Sequence, residues 1–125
     1  MLASNNLHYF RWIMNDIQTE TFADVLATIL NRPIGSWIFL PRGEDWSLES
    51  EAVTLMSEEV PPEDEDLPDA GVPEFAKQRG LIQVMDVAAL QDVVLNLLSQ
   101  QPNANIDEVF RAFIHYYRQD AFIQI

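Results

Sequence analysis

The sequence predicts an α+β fold in which a small, mainly antiparallel sheet of three or four strands packs against three or four amphipathic helices. Three observations support this fold class. Apolar residues recur at helical spacing in three stretches, short runs rich in aromatic and β-branched residues lie between them, and turn-forming residues bound those runs. An α+β arrangement buries all the apolar stripes at once. At 125 residues, the chain is expected to form a single globular domain over residues 1–125.

The first clear helix is predicted to begin at Thr21 and to end near Asn31. Thr21 can cap the helix, with Asp24 three residues later as in a capping box, and Pro33 cannot continue it. The apolar residues at the spacing of one helical face are Phe22, Val25, Leu26, Ile29 and Leu30. Residues 6–16 are also apolar and aromatic, and they are expected to form a helix or a helical turn.

Two short strands are predicted next, at residues 36–40 and at Glu51–Met56. The first run, SWIFL, is aromatic and is bounded by a glycine and a proline. Because only a short loop separates the two runs, an antiparallel pair is expected. A helical turn over residues 73–78 and a third strand over residues 81–85 are predicted after the acidic segment.

Two further helices are predicted in the C-terminal part of the chain. Asp86 occupies the N-cap position of the first helix, and Asn105 with Glu108 forms a capping-box pair for the second, after a linker at residues 100–105. Their apolar stripes are Leu90, Val93, Val94, Leu97 and Leu98 in the first and Ile106, Val109, Phe110, Phe113, Ile114 and Tyr117 in the second. The last five residues, AFIQI, form either a final strand or a docked tail.

The chain carries 20 acidic residues against 7 basic ones, a formal net charge of −13. A field of this sign repels phosphate backbones and anionic membranes and attracts basic partners, so neither direct nucleic-acid binding nor membrane association is expected. Solubility alone would also explain an excess of carboxylates. The sequence has no cysteine, no visible signal peptide and no apolar run long enough to span a membrane, so a cytoplasmic location is expected.

No pattern in the sequence predicts catalysis. The two histidines, His8 and His115, are far apart and lack metal-ligand spacing, and neither a phosphate-binding loop nor a nucleophile elbow is present. A calcium-binding loop starting at Asp64 or at Asp66 fails, because Pro68 falls at a ligand position in both registers. We therefore expect a protein that is not an enzyme and that holds no cofactor or metal.

The negative charge is concentrated in one window of the sequence. Twelve of the 20 acidic residues lie between Glu44 and Glu74, where there is no Lys or Arg. The stretch EEVPPEDEDLPD, at residues 58–69, holds seven carboxylates and three prolines. Charge localised in this way favours a contact surface for a basic partner. The alternative is a solvated, extended loop, which prolines and like charges also favour. The acidic loop is expected at about residues 57–72.

The candidate partner-binding residues come from this window. The primary candidates are the seven carboxylates of the acidic stretch: Glu58, Glu59, Glu63, Asp64, Glu65, Asp66 and Asp69. Glu44, Asp45 and Trp46 are secondary candidates, because a tryptophan flanked by acids on a loop suits an interface anchor. The alternative for Trp46 is that its side chain folds back and covers one edge of the sheet.

In overall plan, the chain resembles the immunity proteins of bacterial toxin and immunity pairs, including those that accompany contact-dependent growth inhibition nucleases. The resemblance lies in its small size, strong acidity and lack of cysteine, and in the segments PRGEDWSLESEAV and EEVPPEDEDLPDAGVPEF around the strands. It implies a protein that neutralises a basic toxin, commonly a nuclease, by occupying its active site or an adjacent surface. Two alternatives remain open: a nucleic-acid-mimicking adaptor that binds a basic host protein and, less favoured, a small metal-dependent protein.

Overall fold

The computed structural model describes residues 17–57, 60–68 and 70–125. The strands in this part of the chain are β1 (Glu20–Thr21), β2 (Ser36–Pro41), β3 (Glu51–Met56) and β4 (Leu81–Asp86). The α-helices are α1 (Phe22–Ala27), α2 (Glu74–Gln78), α3 (Val87–Gln100) and α4 (Ile106–Gln119), with 3₁₀ helices at Ile29–Asn31 and Pro62–Asp64. The predicted α+β fold is confirmed. The helix or helical turn predicted at residues 6–16 lies outside the described residues.

The four strands form one antiparallel sheet in the order β1-β3-β2-β4. The predicted pairing of β2 with β3 is confirmed, with Ile38 opposite Thr54. The two-residue strand β1 was not predicted, because its second residue, Thr21, was interpreted only as the N-cap of the following helix. The long strands β2 and β3 lie inside this order, and β4 forms one edge of the sheet.

A β-bulge divides β4. Ile38 lies opposite Met85 while the next residue, Phe39, lies opposite Gln83, so Val84 is an extra residue in the ladder. Side chains normally alternate between the two faces of a strand. The bulge resets this alternation, and both Val84 and Met85 contact the main core.

The main core lies between one face of the sheet and helices α1, α3 and α4. Its largest fully buried side chains are Phe22, Phe113, Ile29, Ile38, Leu40, Leu90, Leu97, Val25 and Val87. The rings of Phe22 and Phe113 meet edge to face at 4.8 Å between centroids, which joins α1 to α4. The opposite face of the sheet carries a smaller cluster of Phe39, Val53, Ala76 and Leu81, covered by α2.

The predicted helix caps are present. Thr21 Oγ1 accepts from Asp24 N, Asp86 Oδ1 accepts from Ala89 N at 2.6 Å, and Asn105 and Glu108 form a complete capping box. Each satisfies backbone donors that the first turn of a helix leaves free.

The predicted first helix is divided at Thr28, which corrects the prediction of a continuous helix to residue 31. The Thr28 hydroxyl donates to Asp24 O at 2.7 Å, and the chain continues as a 3₁₀ helix. A 3₁₀ helix has three residues per turn instead of 3.6, so its side chains leave the α-helical stripe. Leu30 is consequently 45% exposed, although the spacing placed it on the buried face.

The last residues form a docked tail and not a strand. The Gln100 side chain donates through Nε2 to Ile123 O at 2.9 Å and accepts through Oε1 from Ile125 N at 3.0 Å. One side chain at the end of α3 therefore holds the backbone of the tail.

Candidate partner-binding surface

The described residues of the acidic segment (residues 57–72) fold into successive turns from Pro61 onwards. Asp64 N donates to Pro61 O at 2.9 Å, Leu67 N donates to Asp64 O at 3.1 Å and Ala70 N donates to Leu67 O at 3.0 Å. Pro62 stands at the start of the 3₁₀ helix, where its missing N–H costs no hydrogen bond. These bonds make the described part of the segment a series of turns instead of an extended chain. Its side chains are mostly exposed, so a solvated loop and a contact surface both fit this part of the structure.

Four primary candidates stand together on these turns. Glu63, Glu65 and Asp66 are exposed and Asp64 is half-buried. None of the four forms an ion pair or a side-chain hydrogen bond with another described residue. Four adjacent carboxylates that lack a cation make a local negative potential, which a basic partner would neutralise. The other primary candidates, Glu58, Glu59 and Asp69, lie outside the described residues.

Glu44 and Asp45 lie in a tight turn after β2. Gly43 and Glu44 both have left-handed backbones, with φ of 107° and 62°, and this conformation is uncommon for a residue with a side chain. The Tyr117 hydroxyl donates to Glu44 Oε1 at 2.8 Å, and this bond raises the pKa of Tyr117 above its ordinary value, with smaller contributions from desolvation and the Glu44 charge. Glu44 is thus attached to α4, whereas Asp45 is exposed and free of an ion pair within the described part of the chain.

Trp46 is buried, with 7% of its surface exposed. Its Nε1 donates to Pro41 O at 2.7 Å, and its ring lies 5.0 Å from that of Tyr117 and 5.9 Å from that of Phe113. The second alternative for this residue is confirmed in that the indole folds back, but the indole packs on the core rings at the end of the inner strand β2 and not along an edge of the sheet. The prediction of Trp46 as an exposed interface anchor is therefore wrong. The apolar surface of the indole is buried, and its single N–H group already donates to Pro41 O.

A groove separates the acidic segment from β4. Its volume is about 500 Å³. The residues that line it are Arg42, Pro68, Ala70, Val72, Lys77, Gly80, Leu81, Ile82 and Gln83. Pro68 and Ala70 directly continue the turns that carry the exposed carboxylates, so the negative patch and the groove are parts of one surface. Sequence reasoning missed this groove, because it depends on β4 lying at the sheet edge beside the acidic segment.

Two other properties concern metals and membranes. Within residues 17–57, 60–68 and 70–125, no three acidic or histidine side chains lie close enough together to hold a metal ion. In the same part of the chain, no helix combines the length and the apolar character that crossing a bilayer requires.

The chain was compared with known proteins and protein families. No curated protein and no solved structure matches it. A family model described as a domain of unknown function, DUF7716, matches residues 19–125. The matched region includes all four strands, the acidic segment and the groove. Since the match covers far more than half of the sequence, the chain belongs to the DUF7716 family.

Proposed function

We propose that this protein is a cytoplasmic inhibitor that binds and neutralises a basic toxin of the nuclease class. The observation that carries the proposal is the run of four carboxylates at residues 63–66, which lack a cationic partner among the described residues. The run belongs to a chain with a net charge of −13 and lies in a window without Lys or Arg. Charge placed in this way favours a basic partner more strongly than evenly spread charge does.

The chemistry of a nuclease explains why carboxylates would inhibit it. A nuclease cleft holds phosphates with Lys and Arg side chains, and carboxylates can replace the phosphates with charge-assisted hydrogen bonds. The negative field also attracts the toxin from a distance and speeds association. Rapid capture suits an inhibitor that has to act before damage accumulates.

The turns of the acidic segment support the proposal for a second reason. Backbone hydrogen bonds at Asp64, Leu67 and Ala70 fix the turns of the backbone that carries the carboxylates before any partner arrives. A segment that is already ordered loses less conformational entropy on binding than a flexible loop does. The backbone in the described part of the proposed interface is therefore organised in advance.

The proposal is tested by affinity capture followed by coexpression. The tagged protein is used to capture partners from its native organism, and each captured protein is then expressed alone and together with the inhibitor. We expect a basic protein that stops growth when expressed alone and that is harmless when coexpressed. Capture of basic proteins that are all harmless when expressed alone would contradict toxin neutralisation and would favour the nucleic-acid-mimicking adaptor.

A further inference from the structure

We propose that an apolar patch at one end of the sheet binds residues 7–14 of the same chain. This sheet-end patch consists of Ile34, Trp37, Leu55 and Met56. Residues 7–14 have the sequence LHYFRWIM and lie outside the described residues, so their docking place is inferred from the patch, from the direction of the chain at Ile17 and from the sequence. Docking of this kind does not depend on the proposed function.

The sheet-end patch exposes large apolar side chains. Ile34 is 65% exposed and Met56 is 62% exposed. Trp37 and Leu55 lie opposite each other in the pairing of β2 with β3, and both are half-buried. A Cβ atom placed on Gly35 would lie 4.0 Å from Met56 Cε, so the turn before β2 and the end of β3 meet here. Adjoining apolar side chains that face solvent favour a surface that another segment covers.

The helix on this face of the sheet covers the other end of the face. Trp37 and Leu55 pack against the smaller cluster, which α2 covers. α2 has five residues and is about 8 Å long, whereas the six-residue strand β2 extends about 20 Å. α2 directly precedes Leu81, which lies opposite Pro41 at the end of β2 away from Trp37. Within the described part of the chain, Val72 is the one apolar side chain of the acidic segment that packs on this face, and it lines the groove beside Leu81. The end of the face at Trp37 therefore has room for a further covering segment.

The chain enters the described region beside the patch. β1 pairs antiparallel with β3, with Glu20 opposite Ala52. The residues before Glu20 therefore run alongside β3 towards Leu55. The same register, continued by three residues, places Ile17 opposite Leu55. Ile17 is half-buried, as expected for a side chain in this position.

A hydrogen bond supports this path of the backbone. Thr19 Oγ1 donates to Glu51 Oε2 at 3.0 Å. In the continued register Thr19 lies opposite Val53, and Glu51 is its diagonal neighbour on the same face of the sheet. Side chains alternate between the two faces of a strand, so Ile17 lies on the face of Thr19, Val53 and Leu55. Residues 7–14 therefore join the described chain on the face that carries Trp37 and at the same end of the sheet.

The composition of residues 7–14 suits this patch. Six of the eight residues in LHYFRWIM are apolar or aromatic. Docking them on the patch removes apolar surface from water on both sides of the contact. Two residues separate Met14 from Ile17, and a connection this short gives an effective concentration of about millimolar or more.

Charge also favours this occupant over a second copy of the chain. Arg11 is the only Lys or Arg before Arg32, and the acidic segment begins at residue 57, directly after Met56. A basic side chain within the docked residues is therefore complementary to the adjoining carboxylates. Two copies of the chain each carry a net charge of −13 and repel each other.

The test places a nitroxide spin label on the full-length protein. The chain has no cysteine, so a single introduced cysteine carries the only label. Ser4→Cys puts the label beside residues 7–14. Ser99→Cys is the control, because Ser99 is exposed on α3, which packs on the opposite face of the sheet from Trp37. NMR signals of the Trp37 indole and the Leu55 methyl groups are compared before and after chemical reduction of the label. We expect both signals to be lost with the label at residue 4 and retained with the label at residue 99.

Two double variants of the Ser4→Cys protein test whether the aromatic side chains hold the segment on the patch. The first combines Phe10→Ser with Trp12→Ser. The matched control combines Asn5→Ser with Asn6→Ser, which changes two neighbouring polar residues. We expect the docking equilibrium constant to fall at least about tenfold for the aromatic pair, so that the patch signals return, and to stay within about threefold for the control.

A mixed sample separates docking within one chain from docking between copies. Isotope-labelled wild-type protein is combined with unenriched Ser4→Cys protein that carries the nitroxide. We expect the patch signals of the wild-type protein to be retained in this mixture. Their loss to the same extent as in the singly labelled protein would show that a second copy occupies the patch, and it would overturn the proposal.

Three further outcomes would overturn docking of residues 7–14. These are retention of the Trp37 and Leu55 signals with the label at residue 4, equal loss with the label at either position, and equal effects of the two double variants. The label comparison leaves residues 7–14 and the patch unchanged, so it decides the question even if the aromatic double variant does not fold. Toxin neutralisation is tested separately by coexpression, and either proposal can fail while the other holds.

Discussion

The hydroxyl group of Tyr117 donates a hydrogen bond of 2.8 Å to Glu44 Oε1, across 73 residues of sequence. This bond attaches α4 to the turn after β2, where Glu44 has a left-handed backbone with φ of 62°. Trp46 lies two residues further on and packs against the same tyrosine ring. Tyr117 therefore supports both an acidic turn and the indole that closes the core.

Replacing Tyr117 with Phe should make the free energy of unfolding depend less on pH in the alkaline range. The pKa of Tyr117 is raised above its ordinary value of 10.0 in the folded state, chiefly by the hydrogen bond to Glu44. The stabilisation is therefore fully present below the unfolded pKa and is lost as pH rises through the higher folded pKa. Urea unfolding of wild type and Tyr117→Phe should differ by at most about 1 kcal/mol at neutral pH.

The pH series supplies the internal control for this bond. The difference in unfolding free energy between the two proteins should shrink once Tyr117 ionises, because a phenolate cannot donate to a carboxylate. A difference that stays constant throughout the alkaline range would show that the substitution acts through packing and not through the bond to Glu44.

Replacing Trp46 with Ala should destabilise the fold severely. The side chain is 7% exposed and contacts the rings of Phe113 and Tyr117. Removal of a buried aromatic side chain of this size costs about 3–5 kcal/mol. Leu95, which is 53% exposed on α3, is the control, and Leu95→Ala should change the free energy of unfolding by less than about 0.5 kcal/mol. Both substitutions are measured by urea unfolding. Similar small effects for the two would contradict the burial of Trp46.

Replacing Arg32 with Lys should weaken the connection between β1 and the 3₁₀ helix at Ile29–Asn31. Arg32 Nη1 and Nη2 donate to the two oxygens of the Glu20 carboxylate at 2.6 and 2.7 Å, and lysine cannot make this paired contact. The two side chains are 19% and 29% exposed, so the ion pair is partly shielded from solvent. A double-mutant cycle with Glu20→Gln should give a coupling energy of about 1 kcal/mol. If the two substitutions are purely additive, the paired contact of the Arg32 guanidinium contributes nothing beyond what a lysine ammonium supplies.

Local signals in the sequence predicted most of the elements correctly. Asp86, Asn105 and Glu108 cap the helices that they were expected to cap, because capping depends on side chains and backbone groups within one turn. The run SWIFL forms β2 because its residue types and its bounding turns act over a few positions. The division of the first helix was missed, since Thr28 fits a helical pattern in sequence and leaves it only in the folded chain.

The candidate site was predictable in its charge but not in its shape. The acidic residues are visible in sequence, and four of them, at residues 63–66, stand together in the structure. The groove and the position of β4 at the edge of the sheet depend on strand order, which requires contacts between residues far apart in the chain. The orientation of Trp46 was undecided for the same reason, because its partners Phe113 and Tyr117 lie about seventy residues away.

The central claim is that the acidic segment captures a basic toxin by charge. It is tested with a variant that carries Glu63→Gln, Asp64→Asn, Glu65→Gln and Asp66→Asn. Its matched control carries Asn at four exposed helical or helix-end positions: Asp24, Asp92, Asp107 and Asp120. Each set removes four carboxylates and changes the net charge from −13 to −9, so the two variants lose the same amount of charge at different locations.

The decisive measurement is the rate constant for association with the toxin identified by coexpression, taken at several salt concentrations. We expect the segment variant to associate at least about tenfold more slowly than wild type at low salt, with a flatter salt dependence. The control should stay within about threefold of wild type, because its charges lie outside the segment. Equal rates and equal salt dependence for the two variants would contradict the claim that residues 63–66 form the capture surface.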